Sequence, residues 1–305
     1  MRTWAHDRWL FPLPDGHRYP VSKHLLLRER LLQTGVCRPE DLLEAEPLRW
    51  SALARVQDAG LLGRIRRGQM SVREQRGLGL PWSPELVERG RRVSHATVLA
   101  SRNALQTSVA INLGGGAHHA GRTFARGYCL FNDIALACDA LRADGLARRA
   151  LVVDCDVHQG DGTAQLLAAD PDAFTLSLHG ARNYPFRRIP SNLDVELPAG
   201  TTDTAYLTAL DGALASALRV GGFDVAFYLA GADPWKDDRL GSLALTKSGL
   251  RRRDVMVLDT LRGQRIPVCV TLAGGYAPDV RDIVDIHAAT AEEVAARITD
   301  PLRRP

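Results

Sequence analysis

Long apolar runs are missing from this sequence. No stretch approaches the ~20 residues that a membrane-spanning helix needs. Residues 1–14 carry Arg2, Asp7 and Arg8 without the apolar segment of a secretion signal. Cysteine shows no framework pattern: Cys37, Cys129, Cys138, Cys155 and Cys269 are odd in number, and no pair has C-x-x-C spacing. That argues against disulfides and suits a reducing compartment, so the expectation is a cytoplasmic protein with no membrane span. Charge of one sign is scarce too. Thirty-nine Lys and Arg against 35 Asp and Glu leave +4, which does not announce a nucleic-acid partner. Two basic runs, 64–67 and 251–253, sit in helix-like segments and read as solvated helix faces rather than a phosphate-binding stripe. Internal repeats, low-complexity stretches and Walker-type or dinucleotide-type glycine motifs are absent.

What is present is an ordinary globular composition, 45% hydrophobic and 24% charged over 305 residues, with material for a sizeable core. No convincing linker divides it, so residues 1–305 read as one domain whose first 90 residues are helical and loop-like. Residues 21–33 have a helical apolar period ending at Gly35, a C-cap candidate. Residues 78–84, broken by Gly79, Pro81 and Pro84, read as a loop. Beyond residue 100, short β-branched runs at 108–113, 150–155, 174–178, 225–229 and 268–272 alternate with helix-like segments, among them 130–142, 205–219 and 248–262. Near-continuous apolar strands separated by helices predict an α/β fold, a parallel sheet covered on both faces.

Residues with chemistry follow each predicted strand: Gly114-Gly115-Gly116-Ala117-His118-His119, Asp154-Cys155-Asp156-Val157-His158-Gln159-Gly160-Asp161-Gly162, His179-Gly180, Gly231-Ala232-Asp233 and Gly274-Gly275-Tyr276. In a parallel sheet these segments leave at one carboxyl edge, where open α/β sheets bind ligands. Asp154, Asp156 and His158 lie at i, i+2 and i+4, and burying them together demands a cation or hydrogen-bond partners. Asp156, His158 and Asp233 are the metal-ligand candidates. Three protein ligands with one open position is the arrangement of a catalytic zinc (Zn2+) site, though mixed oxygen and nitrogen ligation also accepts iron(II) or cobalt(II). Two carboxylates largely neutralise such an ion, so a separate base is needed, and the His118-His119 pair supplies candidates. Asp161 in a tight glycine loop is placed to orient an imidazole. Tyr276, protonated at neutral pH, is placed to donate to an oxyanion.

Together with Gly-Tyr-Cys-Leu-Phe-Asn-Asp at 127–133, Ser-Leu-His at 177–179 and Asp-Arg-Leu-Gly at 238–241, these motifs resemble the histone deacetylase family within the arginase–deacetylase fold. The resemblance covers about 90 to 290 well. The N-terminal part matches loosely, through Gly16-His17-Arg18-Tyr19-Pro20 and Lys23. The short chain and the Ala-Gly-Gly-Tyr ending look most like class IV members and their bacterial relatives. The resemblance implies zinc on Asp156, His158 and Asp233, and His119 as general base and then acid, backed by Asp161. It implies that His118 is an electrostatic partner held by Asp154, and that Tyr276 polarises the scissile carbonyl. Gly127 and Tyr128 would line an acyl-lysine tunnel. Potassium would sit beside the zinc strand at Asp154, Asp156, His158, Ser177 and Leu178. The implied reaction is hydrolysis of the Nε-acyl amide of lysine, with acetyl or long acyl chains both open. Deacetylation of small acylated amines such as acetylpolyamines is the alternative. The rim stretch Gly79-Leu80-Pro81-Trp82 lacks the carboxylate many relatives carry, and Val56-Gln57-Asp58 stands where Val-His-Asp is frequent. A two-manganese ureohydrolase would need more carboxylates than Asp233-Pro234-Trp235 supplies.

Overall fold

The computed structural model describes residues 1–298. Among them lies one eight-stranded, all-parallel sheet of order β2-β1-β3-β8-β7-β4-β5-β6. The strands are β1 (Thr3–Trp4), β2 (Leu42–Leu43), β3 (Val109–Asn112), β4 (Ala150–Asp154), β5 (Ala173–Gly180), β6 (Leu193–Leu197), β7 (Val225–Leu229) and β8 (Val268–Thr271). The helices are α1 (Lys23–Gln33), α2 (Trp50–Val56), α3 (Ala59–Arg67), α4 (Val72–Leu78), α5 (Pro84–Thr107), α6 (Asp133–Ala143), α7 (Asp161–Leu167), α8 (Asp203–Val220), α9 (Lys247–Gly263) and α10 (Val280–Ala295).

Side chains alternate across a strand, and here each set meets its own helical layer. Leu151 and Val153 of β4 face a core with Leu27 of α1, Leu210 and Leu214 of α8, Val257 and Leu261 of α9 and Ile283 of α10. Ala150 and Val152 face the other core, with Ala96, Ala100 and Ala104 of α5, Ile134 and Leu141 of α6 and Leu167 of α7. The sheet is therefore covered on both faces, as its unbroken apolar runs predict. A third cluster knits the N-terminal helices to the body: Leu53, Leu61, Ile65 and Leu78 pack with Leu86 and Phe131. All five cysteines are free and buried.

The five predicted strands form, with ends shifted by a residue or two. The first 90 residues also contribute the two-residue strands β1 and β2, too short to show a period, and β6 adds a half-buried edge. Residues 79–83 form the predicted loop, and α5 begins at Pro84, capped by the Ser83 side chain on the Leu86 amide. Gln57 and Asp58 have structural uses. Gln57 Nε2 donates to the Gly121 carbonyl at 3.2 Å, and Asp58 caps α3 through the Leu61 amide at 2.9 Å.

The expectation for one basic run fails. The 251–253 run is not a uniformly solvated face. Arg251 and Arg252 are exposed, but Arg253 has no exposed surface. A turn of helix rotates ~100° per residue, so the third arginine of the run points inward. Its Nη1 donates to the Gly231 carbonyl at 2.6 Å, and its Nη2 donates to the Asp254 carboxylate at 2.8 Å. Asp254 also accepts from the Tyr228 hydroxyl and the Thr290 hydroxyl, both at 2.6 Å. The 64–67 run behaves as expected: Arg66 and Arg67 are exposed, and Arg64 pairs with Glu74 at 2.6 Å.

Removing one partner of a buried charge pair leaves the other uncompensated. Asp254→Ala is expected to lower unfolding free energy by about 3–5 kcal/mol in urea titrations, the usual cost of a broken buried pair. A loss below about 1 kcal/mol, the scale of an exposed ion pair, would contradict the role given to this network.

Candidate metal centre and active site

β4 ends at Asp154, and the backbone beyond it is held by its own carboxylates. Asp154 Oδ1 accepts from the Asp156 amide at 3.1 Å, and Asp156 Oδ1 accepts from the His158 amide at 2.9 Å. The segment after β7 arrives alongside, with Asp233 Oδ1 accepting from the Val157 amide at 3.0 Å. The turn after β8 completes the cradle: the Gly274 amide donates to Asp156 Oδ2 at 2.8 Å. A side chain at Gly274 would run into both Asp233 Oδ2 and Asp156 Oδ2, so only glycine lets the backbone come this close.

Asp156, His158 and Asp233 each offer one ligand atom, and these atoms lie within 4.8 Å of one another. His158 Nδ1 stands 2.9 Å from Asp156 Oδ1 and 3.3 Å from Asp233 Oδ2. All three residues are buried. Asp233 Oδ2 is buried with no hydrogen-bond partner. Burial first, and then the neighbouring Asp156 charge, push Asp233 up to about 7. Burial disfavours a charged His158, but the two carboxylates overcome it and raise it to about 10. Two carboxylates and an imidazole with an orphaned oxygen between them fit a divalent cation, and the donor set suits zinc or iron(II).

The tandem histidines follow β3. Gly115 and Gly116 both take left-handed φ, of 78° and 76°, and the turn they make is pinned by Asp133. That carboxylate accepts from the Gly116 and Ala117 amides at 3.0 and 2.7 Å and from the Thr97 hydroxyl at 2.6 Å. His118 and His119 emerge with ring centres 4.1 Å apart. His118 Nδ1 lies 2.7 Å from Asp154 Oδ2, and His119 Nδ1 lies 2.6 Å from Asp161 Oδ1. The two rings have opposite electrostatics. Burial opposes charge on His118, but Asp154 and Asp156 raise it to about 9. His119 is driven well below the usual imidazole range by burial, with the His118 and His158 charges adding to it.

Asp161 is not in a tight loop, as its glycine neighbours suggest, but is the first residue of α7. Gly162 allows this because a side chain there would strike the Ala120 carbonyl. Arg126 forms a second ion pair with Asp161. Tyr276 is 9% exposed, and its amide donates to Asp238 Oδ2 at 2.6 Å. Burial and the Asp156 and Asp233 charges raise its phenol well above its ordinary value. Gly127 and Tyr128 both have left-handed φ, 56° and 65°, and a side chain at Gly127 would meet His119 at 2.5 Å. The Tyr128 ring is thereby turned to 5.5 Å from that of Tyr276.

His118, His119, Asp133, Asp156, His158, Tyr128 and Tyr276 border one cavity of about 550 Å³, while Asp154, Asp161 and Asp233 are buried against them and do not line it. Its mouth carries Tyr128, Tyr184, the 90% exposed Phe186, and the exposed Arg182 and Arg239. Tyr184, whose ring lies 4.9 Å from that of His119, was not legible in the sequence. Neither were His24, Arg89 and His287, which line the cavity together with Lys23 of the loose N-terminal match. His179, at a strand end with the others, does not line the cavity; it contacts the Ser177 hydroxyl at 2.9 Å and Arg188. Ser177 pairs in register with Asp154, and Leu178 follows it, fully buried. No helix among the described residues is long and apolar enough to cross a membrane.

Residues 17–291 match the family model of the histone deacetylase domain. An uncharacterized protein of Picosynechococcus sp. is 38% identical over 283 residues, covering 93% of this chain and 94% of that protein. Histone deacetylase 2 of Arabidopsis thaliana is 34% identical over 189 residues, which span 61% of this chain and 49% of that protein. Acetylpolyamine amidohydrolase of Burkholderia pseudomallei is 27% identical over 209 residues, 61% of this chain and 59% of that protein. The match thus spans about half the length of these two named relatives. The fold is that of a histone deacetylase homolog from Aquifex aeolicus, with a TM-score of 0.84 and 22% identity over 97% of this chain and 84% of the other. The family match over 17–291 agrees with the motifs brought together around this cavity, and the chain belongs to the histone deacetylase family.

Proposed function

We propose that this chain is a zinc-dependent hydrolase of Nε-acyl-lysine amides in protein or peptide. The observation that carries the reading is that His119, held by Asp161, and Tyr276 line the same cavity as Asp156 and His158, whose cluster Asp233 completes. A divalent ion on those three ligands, zinc or iron(II), would supply Lewis acidity toward the amide carbonyl and a water beside it. His119 Nδ1 donates to Asp161, which leaves Nε2 as the lone-pair nitrogen, and its depressed basicity keeps the ring neutral and ready to take the water's proton. His118, held by Asp154 and favoured as a cation, places positive charge beside the negative charge that develops. Tyr276 stays protonated and donates to the tetrahedral oxyanion of the substrate. His119 then returns its proton to the leaving amine, the C–N bond breaks, and the acid and the free lysine separate. Gly127 and Tyr128 would line the passage for the lysine stem. Asp154, Asp156, His158, Ser177 and Leu178 would hold a potassium ion, consistent with the β4–β5 register.

The alternative substrate, an acetylpolyamine, carries several positive charges. The mouth bears Arg182 and Arg239, and the carboxylates along the cavity wall are Asp133 and Asp156, both buried. Like-charge juxtaposition disfavours a polyamine there, which supports lysine in a protein context. Residues 1–90 belong in the same catalytic domain, since Tyr19 and Lys23 border the cavity. Five buried thiols suit a cytoplasmic location.

Three outcomes are expected. Tyr276→Phe should retain its metal content yet lower kcat on an acetyl-lysine peptide by about 10²–10³-fold, the usual effect of removing one oxyanion donor; full turnover would refute the role of the phenol. Gly274→Ala, measured by elemental analysis of the purified protein, should lose most of its divalent metal because the added methyl occupies the space between Asp156 and Asp233; full occupancy would contradict the cradle. An acetyl-lysine peptide should exceed acetylspermidine in kcat/KM by at least about tenfold, the low end of like-charge discrimination; the reverse order would favour the polyamine reading.

A further inference from the structure

Beside the reactive residues, the cavity wall includes buried basic side chains. Lys23 on α1 and Arg89 on α5 both line it, each only 5% exposed. Lys23 Nζ donates to the Gly275 carbonyl at 3.4 Å and feels the Asp233, Asp238 and Asp156 charges without touching them, while Arg89 Nη1 donates to the Trp9 carbonyl at 3.1 Å and to that of His6, and its guanidinium also bonds the Tyr19 side chain. Among the described residues neither forms an ion pair with a carboxylate. Buried Lys and Arg are almost always paired. His24 and His287 stand on the same wall. His287 is 2% exposed, and neither of its ring nitrogens has a hydrogen-bond partner. Asp133, which lines the cavity together with Asp156, is already committed to the Gly116 and Ala117 amides and the Thr97 hydroxyl. Phe11 and Leu27, which also line it, are apolar. Two buried cations without an ion-pair contact and an imidazole without a hydrogen-bond partner on one cavity wall, next to apolar Phe11 and Leu27, make a receptor for an anion on a short hydrocarbon tether.

The receptor lies close to the chemistry. Lys23 Nζ is 5.4 Å from the centre of the Tyr276 ring and 5.5 Å from that of Tyr19. Resting on the deacylase reading above, we infer that the preferred acyl groups end in a second carboxylate, of the succinyl or glutaryl kind, received by Lys23 and Arg89. The amide C–N bond breaks, the hydroxyl of water joins the acyl carbon, its proton goes to the lysine nitrogen, and a dicarboxylate leaves. A plain alkyl tail would instead bury methyl groups against cations left without a counter-charge.

Two measurements test this separately from the parent reading. The first is kcat/KM on peptides differing only in Nε-glutaryl or Nε-pentanoyl on the lysine, which share chain length and differ in the terminal carboxylate. Wild-type protein is expected to prefer glutaryl by at least about tenfold, as a charge-assisted pair requires, and Lys23→Met to erase most of that ratio. A pentanoyl preference in the wild type overturns the proposal. The second is calorimetric titration of glutarate and pentanoate into wild type and Lys23→Met. Glutarate should bind the wild type at least about tenfold more tightly than the variant; equal binding overturns the proposal, whatever the activity. Tight, Lys23-dependent glutarate binding without turnover of any acyl-lysine peptide would uphold the anion receptor and sink the lysine-deacylase reading alone.

Discussion

Two carboxylates and an imidazole buried within 4.8 Å of one another are the constraint on which the architecture depends. Without a cation such a group is costly in a dry interior. The fold answers that cost with backbone. The Asp156, His158, Val157 and Gly274 amides all point at these acids or at Asp154 beside them. The carbonyls on the far side are held as well. Arg253 reaches through the sheet-covering layer to the Gly231 carbonyl, which lies two residues before Asp233, and is itself fixed by Asp254. A buried ion pair therefore braces the strand ends that carry the candidate ligands, and a parallel sheet delivers those ends to one edge.

Around this centre, carboxylates divide the labour among the bases. Asp154 lies against His118 and favours its charge, whereas His119, against Asp161 and beside charged neighbours, is kept neutral. Adjacent residues of one type thus acquire opposite tendencies from their surroundings, the pattern expected where one group stabilises charge and the other moves a proton. Asp133 fixes the glycine turn that launches both rings. The aromatic rings of Tyr128, Tyr184 and Tyr276 close the space around them.

Much of the central fold was legible because its signals are local. Apolar runs such as 150–155 and 225–229 need no tertiary information to read as buried strands. The metal-ligand candidates were legible for the same reason, since each follows such a run directly. The structure brings Asp156, His158 and Asp233 together from two strand ends. The rest depended on long-range contacts. Strands of two residues, β1 and β2, have no period to detect. The burial of Arg253 is hidden in the sequence because a run of three arginines looks uniform until helix rotation sorts its members into solvent and core. Asp161 reads as a loop residue because flanking glycines usually mark turns, whereas Gly162 here permits a close helix contact with Ala120. Lys23 and Arg89 became visible as a pair only when α1 and α5 brought them to the same cavity wall.

The account's central claim is that hydrolysis of an acyl-lysine amide depends on one divalent ion held by Asp156, His158 and Asp233. The most direct test is to strip the protein with a chelator and follow cleavage of acyl-lysine peptides, acetylated and longer-chain, while zinc is returned in measured amounts. The account predicts loss of activity on stripping and its return, saturating at one ion per chain. Activity that survives complete stripping, or that never appears on any acyl-lysine peptide with one zinc bound, would contradict it.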